Sequence, residues 1–204
     1  MFVDRVINNI ETLGPGSRIV VWTVGCSKHC PGCANPELWE ASDANRIDND
    51  QLAEALVRMA KASGTRAITF TGGDPLEQPD DLAWVLRSIR PAFDDVLVYT
   101  GYVAEDVQDL LDSEFDGLID VLIDGPYVES LNDGVCALRG STNQQVMVLN
   151  PVLQTAYDDA LSEPRRVQNL YFDNRAMSVG IHKVAQRIHG DCPTMGTNAQ
   201  AQKE

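Results

Sequence analysis

The sequence predicts an α/β fold on a mainly parallel sheet, and three observations carry that prediction. Short apolar, β-branched runs alternate with segments whose apolar residues recur at helical spacing, and no hairpin signal joins consecutive runs. Four of the runs also end directly in a distinctive motif. Parallel strands joined by right-handed crossovers bring all such strand ends to one edge of the sheet.

The elements follow in order. After an opening segment rich in β-branched residues, Gly14-Pro15-Gly16 breaks the chain. Arg18–Val24 then reads as a strand, apolar almost throughout and so buried on both faces. From Asp48 or Asn49 as N-cap, Leu52, Leu56 and Met59 keep helical spacing until Gly64 stops the helix. Ala67–Thr71 is the next strand. Leu82, Val85, Leu86 and Ile89 mark one face of a helix that ends near Pro91, and Asp95–Tyr99 is a strand. A helix over Ala104–Asp112, with Val107, Leu110 and Leu111 facing inward, leads to the strand Leu118–Ile123. Val146–Leu149 and Val167–Phe172 are expected to supply the last strands. A single domain over 1–189 accounts for these elements. The polar stretch 190–204 lacks periodic apolar residues and is expected to be disordered.

The four motifs are the cysteine loop after the first strand, Gly72-Gly73-Asp74, Thr100-Gly101-Tyr102 and Asp124-Gly125-Pro126-Tyr127. The C-terminal edge of a parallel sheet is where α/β folds place their sites, so these motifs are expected to converge there. Gly72 and Gly73 lack a Cβ, which allows close backbone approach to a ligand, and Asp74 offers a carboxylate to a cationic amine. A substitution at Gly73 is thus expected to affect the ligand and to spare any metal site.

Cys26, Cys30 and Cys33 form a C-x3-C-x2-C run. Three thiols in one short loop hold either an iron–sulfur cluster or zinc. A cubane has four irons, so three cysteines leave one iron without a protein ligand, open for chemistry. Zinc would need a fourth ligand from Cys136, Cys192, His29, His182 or His189, none of which stands at regular spacing from the triplet. His29 reads as a neighbour of the site rather than a ligand, and Cys136 and Cys192 read as ordinary free thiols.

The formal charge of −14, with no run of Lys and Arg, argues against a nucleic-acid grip. Charges and amides in the first eleven residues leave no room for a signal-peptide core, and no apolar run approaches membrane-helix length. A cytoplasmic protein without membrane attachment is expected. In that reducing setting five cysteines, an odd number, point to metal ligation more than to disulfides.

Six blocks in sequence carry a resemblance. Gly14–Arg18, Cys30–Asn35 with Trp39, Thr71–Leu76, Tyr99–Tyr102, Val121–Tyr127 and Arg139–Gln144 are similar, in order, to the blocks of the radical S-adenosylmethionine (SAM) activating proteins of anaerobic (class III) ribonucleotide reductases. The resemblance implies a partial (β/α) barrel of radical SAM type, open on one side. It implies a [4Fe-4S] cluster on Cys26, Cys30 and Cys33, and SAM whose methionine part chelates the open iron. Gly72, Gly73 and Asp74 would hold that methionine group. Many radical SAM loops carry an aromatic residue just before the third cysteine, where this chain has Gly32, so adenine would rest mainly on the backbone of Gly32, Cys33 and Ala34 and on apolar side chains elsewhere. One electron into the sulfonium would give methionine and a 5′-deoxyadenosyl radical. The implied protein substrate is the large subunit of anaerobic ribonucleoside-triphosphate reductase, with an electron donor such as flavodoxin.

The roles of Tyr102, Tyr127 and Arg139 stay open between packing and partner contact. Other readings remain: an activase of a different glycyl-radical enzyme, a radical SAM synthase acting on a small molecule, or a non-catalytic iron–sulfur or zinc module. Other activases often insert further C-x2-C motifs, which this chain lacks, and a carrier has no use for Gly72-Gly73-Asp74 at the same edge.

Overall fold

Residues 1–172 and 175–180 are described by the structure, a computed structural model. Six strands lie side by side in chain order: β1 (Val3–Ile10), β2 (Arg18–Thr23), β3 (Ala67–Gly72), β4 (Asp95–Tyr99), β5 (Val121–Asp124) and β6 (Gln145–Val148). The four central strands, β2 to β5, run parallel, as expected. Both edge strands run the other way. The opening segment is therefore a strand, and Glu11–Ser17 is too short a connection for a crossover, which forces β1 antiparallel to β2. The expected strand at Val146–Leu149 exists, but it returns antiparallel beside β5. Val167–Phe172 does not join this sheet at all; as β7 it pairs with β8 (Arg175–Gly180) in a separate two-stranded sheet.

The helices connect the parallel strands. Asp48 caps α1 (Asn49–Ser63) by accepting the Gln51 N–H at 3.1 Å, and Gly64 ends it in a left-handed conformation. Next comes α2 (Pro79–Ile89), and the segment at Ala104 begins as a 3-10 turn before α3 (Gln108–Ser113). Beyond β6 lies α4 (Gln154–Ser162), which carries no strong apolar stripe in the sequence.

Alternation along each strand divides the core in two. Ile19, Val21, Ile68, Phe70, Val96, Val98 and Leu122 face Leu52, Leu56, Leu82, Leu86 and Ile89 of α1 and α2. On the other face Val20 and Trp22 pack with Ile10, Leu13, Leu38 and Val179 of β8, while Leu97, Val121 and Ile123 pack with Tyr157 of α4. Tyr99 touches both groups on this second face.

The expected start of the last parallel strand at Leu118 is late by three residues, because Asp120 is used as a clasp. Its buried carboxylate takes Arg90 at 2.6 and 2.8 Å, the Val96 N–H at 2.8 Å and the Asn150 amide at 2.8 Å. Asp124, at the other end of β5, accepts from the Ala104 and Gln145 N–H groups at 2.9 and 3.0 Å. Cys136 is buried and in a disulfide, not a free thiol. Pairing depends on which Cα atoms the fold brings within reach, which sequence spacing does not reveal. Cys192, His182, His189 and the stretch 190–204 lie outside the described residues. Among the described residues no helix is long and apolar enough to cross a membrane.

Arg18 anchors the second face. It is fully buried, and its guanidinium pairs with Asp95 at 2.7 Å, with further bonds to Thr69 Oγ1 at 2.7 Å and to the Pro15 and Ile68 carbonyls at 3.0 Å. Tyr157 donates its hydroxyl to Asp95 at 2.8 Å, tying α4 into the same cluster. Removing one member of such a pair strands a charge in the core. Arg18→Leu is expected to cost about 3–5 kcal/mol in denaturant unfolding. Arg58→Ala, which breaks an exposed pair with Glu54, should be indistinguishable from wild type.

Candidate active site

The loops leaving β2, β3, β4 and β5 meet around one cavity of about 490 Å³. Cys26, Cys30, Cys33, Gly32 and Ala34 line it from the first loop, Gly72, Gly73 and Asp74 from the second, and Thr100 and Gly101 from the third. All eight residues singled out for cluster and cofactor therefore share one wall. Tyr127 lines it from the fourth loop, whereas Tyr102 and Arg139 do not. Arg139 instead donates to the Gln144 carbonyl at 3.1 Å within its own loop. Trp22 and Tyr99 rise from the sheet, and Met177–Gly180 of β8 close a side that sequence reasoning left blank.

Gly72 and Gly73 have a job before any ligand is considered. Gly73 N–H donates to the Thr23 carbonyl at 2.8 Å, and Asp74 N–H to the Gly25 carbonyl at 2.7 Å. A Cβ on Gly72 would lie 2.6 Å from the Thr23 carbonyl oxygen, and one on Gly73 would lie 2.5 Å from that of Gly25. Both glycines are therefore filled against the stem of the cysteine loop. The other end of that stem is held by Gly25 N–H donating to Leu38 O at 2.9 Å and Cys26 N–H to Trp39 O at 3.0 Å. The expectation that a Gly73 change spares the metal site thus gives way. Gly73→Ala is expected to push Gly25 and Cys26 out of place, lower stability by about 1–3 kcal/mol and reduce iron retained after reconstitution.

Asp74 sits at a junction of two loops. Its buried carboxylate accepts from Leu76 N–H at 3.0 Å, the Thr100 hydroxyl at 2.9 and 3.1 Å, and Gly101 N–H at 2.8 Å. Burial pushes its carboxyl above the usual range, against the hydrogen bonds from Gly101, Leu76 and Thr100, which favour the ionised form. A carboxylate offers about four acceptor positions, so three donors leave room for roughly one more.

A second clasp holds the cysteine loop from outside. Glu77 accepts from both the N–H (3.1 Å) and the hydroxyl of Ser27, and from the Tyr102 hydroxyl at 3.2 Å, while Lys28 Nζ lies 3.2 Å from the centre of the Tyr102 ring. Tyr102 is thus a loop anchor. Sequence reasoning missed Ser27, Lys28 and Glu77, because polar residues in exposed loops follow no periodic pattern. Burial raises the Glu77 carboxyl, but the Ser27 and Tyr102 hydrogen bonds and the nearby Lys28 outweigh it and hold the group below its ordinary value of 4.5. A lowered folded-state value adds stability above the unfolded value and loses it as pH falls. The stability difference between wild type and Glu77→Gln should be fully present at neutral pH, begin to shrink as pH falls through about 4.5, and be lost only in stronger acid, below the lowered folded-state value.

The thiols themselves are free. Burial pushes the Cys26 thiol up, partly offset by the N–H groups of Lys28 and His29 aimed at it. Asn35 N–H donates to Cys33 Sγ at 3.4 Å. His29 stacks on Trp39, 4.7 Å between ring centres, and lies 3.7 Å from Glu40, so it turns away from ligation. Among the described residues no three His, Cys, Asp or Glu side chains gather closely enough for one metal ion. A tetrahedral zinc would draw its sulfurs to about 3.8 Å from one another, whereas each cysteine of a cubane takes a separate iron. The donor set, three thiols with N–H groups directed at sulfur and a neighbouring cavity, fits a cluster.

A three-thiol loop at the C-terminal edge of a parallel sheet defines a protein built to carry one iron–sulfur cluster, and residues 12–147 match the family described as the 4Fe-4S single cluster domain. More specific similarity is to proteins named anaerobic ribonucleoside-triphosphate reductase-activating protein. That of Enterobacteria phage T4 is 32% identical over 150 residues, covering 72% of this chain and 93% of the relative. Those of Salmonella typhi (33% over 138 residues) and Escherichia coli strain K12 (32% over 142 residues) each cover 65% of this chain and 89% of their own. The chain belongs to the family of anaerobic ribonucleoside-triphosphate reductase-activating proteins.

Proposed function

We propose that this chain is a radical SAM activating enzyme, an oxidoreductase that abstracts a hydrogen atom from one glycine Cα of an anaerobic ribonucleoside-triphosphate reductase. The observation that carries the reading is the convergence of the three cysteines, the glycine pair and Asp74 on one cavity, in a chain whose relatives bear that activating name. A volume of about 490 Å³ suits a ligand of the size of SAM. Bound there, a reduced [4Fe-4S] cluster would supply one electron to SAM, breaking its sulfur–C5′ bond to release methionine, and the 5′-deoxyadenosyl group would accept the glycine hydrogen to become 5′-deoxyadenosine.

The chain's own residues do the holding. Cys26, Cys30 and Cys33 would ligate three irons as thiolates. Gly72 and Gly73 keep the loop stem against β3, and the remaining acceptor position of Asp74 takes the ammonium of the methionine part. The backbone of Gly32, Cys33 and Ala34 supports the adenine. The sheet β1 to β6 acts as a partial (β/α) barrel whose unclosed side admits a polypeptide loop, and glycine suits the reaction because its Cα carries no side chain to block approach. A cytoplasmic electron donor such as flavodoxin supplies the electron.

Protein reconstituted without oxygen is expected to bind about four irons. With reductant, SAM and the cognate reductase it should yield 5′-deoxyadenosine and a stable glycyl radical, seen as a doublet from the one hydrogen left on Cα. Cys26→Ala, Cys30→Ala and Cys33→Ala should each abolish both iron binding and radical. A colourless protein with one zinc, or an active reductase without a radical, would overturn the reading.

A further inference from the structure

Two side-chain nitrogens in the residues of the cavity wall, Arg5 Nε and Trp39 Nε1, are buried and have no hydrogen-bond partner among the described residues. Folded proteins satisfy nearly all buried donors. Two such donors in one wall mark a place where the acceptor comes from something other than the chain.

Both belong to the packing of the cysteine loop. The carbonyl of Trp39 accepts the Cys26 N–H at 3.0 Å, and its ring stacks on His29 between Cys26 and Cys30. Arg5, on β1, lies 5.0 Å from the centre of the Trp22 ring and reaches Asn35 Oδ1 through Nη2 at 3.4 Å. Asn35 in turn directs its N–H at Cys33 Sγ. Arg5 and Trp39 thus line the same cavity as the cysteines, Trp39 joined to the first through its carbonyl and Arg5 to the third through Asn35. The carboxylate and glycine pair assigned to SAM belong to the loop after β3, held to the cysteine loop through Gly25 rather than through Arg5 or Trp39.

We propose that Trp39 Nε1–H and Arg5 Nε–H donate hydrogen bonds to sulfur atoms of the cluster and thereby raise its reduction potential. This inference rests on the assignment of the cluster to Cys26, Cys30 and Cys33. Reduction adds negative charge to the sulfurs, so donors aimed at them stabilise the reduced form more than the oxidised one, and hydrogen bonding to sulfur is among the levers by which a protein sets a cluster potential. The two residues act on the ease of electron entry and are positioning residues, not catalytic ones.

Trp39→Phe removes the indole donor and keeps an aromatic ring against His29. Arg5→Lys removes Nε–H and keeps the charge. The reduced cluster is followed by electron paramagnetic resonance during a reductive titration of each reconstituted protein, without SAM and without reductase. Each variant is expected to hold wild-type iron and to show an about tenfold lower ratio of reduced to oxidised cluster at a fixed potential, equivalent to a midpoint about 59 mV more negative for one electron. Unchanged midpoints in both variants would overturn the proposal. So would weakened SAM binding with an unchanged midpoint, which would place the donors on the cofactor instead. If Trp39→Phe takes up no iron, Arg5→Lys decides by the same titration. Wild-type protein that binds no cluster would defeat the functional reading itself, a result distinct from a cluster whose potential ignores both substitutions.

Discussion

The contact between two stretches of bare backbone governs this site. Thr23–Gly25 and Gly72–Asp74 lie so close that their carbonyl oxygens occupy the places where side chains would begin. Nothing larger than hydrogen fits at Gly72 or Gly73, and two N–H donors bridge the gap. The direction in which the cysteine loop leaves β2 is therefore set by β3, before any metal enters. Preorganisation of this kind removes the entropy cost of arranging ligands at the moment of binding.

Buried aspartates repeat the same device at other strand ends. Asp74 ties the β3 loop to the β4 loop, Asp120 holds the entry to β5 beside β4 and β6, and Asp124 holds the exit of β5 to Ala104 and Gln145. Asp95 faces Arg18 at the opposite end of β4. Each satisfies backbone N–H groups or a buried cation, so the chain's excess of negative charge is not confined to its surface. Part of it rigidifies the frame on which the loops stand.

The parallel core was legible because β2 to β5 are apolar on both faces and each ends in residues with little structural use elsewhere. Orientation at the margins was not. β1 is half exposed along most of its length, so its apolar content is diluted, and whether β6 runs with or against β5 depends on the path of residues 125–144, which hold no α-helix to signal a crossover. The convergence of the eight expected site residues on one cavity was legible from their types and spacings, but the contacts each makes there were not. Gly73 contacts the loop stem and Asp74 is largely engaged by neighbouring loops, facts that arise only when strands are set side by side. Arg5 carried no chemical signature in the sequence, and Trp39 entered only as part of a resembling block with no role attached, since an arginine on a strand and a tryptophan near a turn read as packing residues until their unpaired donors are seen.

Strands running against their neighbours at both margins set a limit on how this architecture can diversify. A further βα unit can join a parallel sheet only beside a strand of the same direction, through a right-handed crossover. β1 and β6 offer no such neighbour, so duplication of a unit at either side would not extend the parallel region. The floor of the cavity stays four parallel strands wide, and a lineage adapting it to a bulkier or different protein target must work by lengthening the loops after β2 to β5. Of those, the loops after β2 and β3 are pinned by the glycine contact and the loop after β4 by the Asp74 carboxylate, which leaves residues 125–144, after β5, as the natural place for insertions.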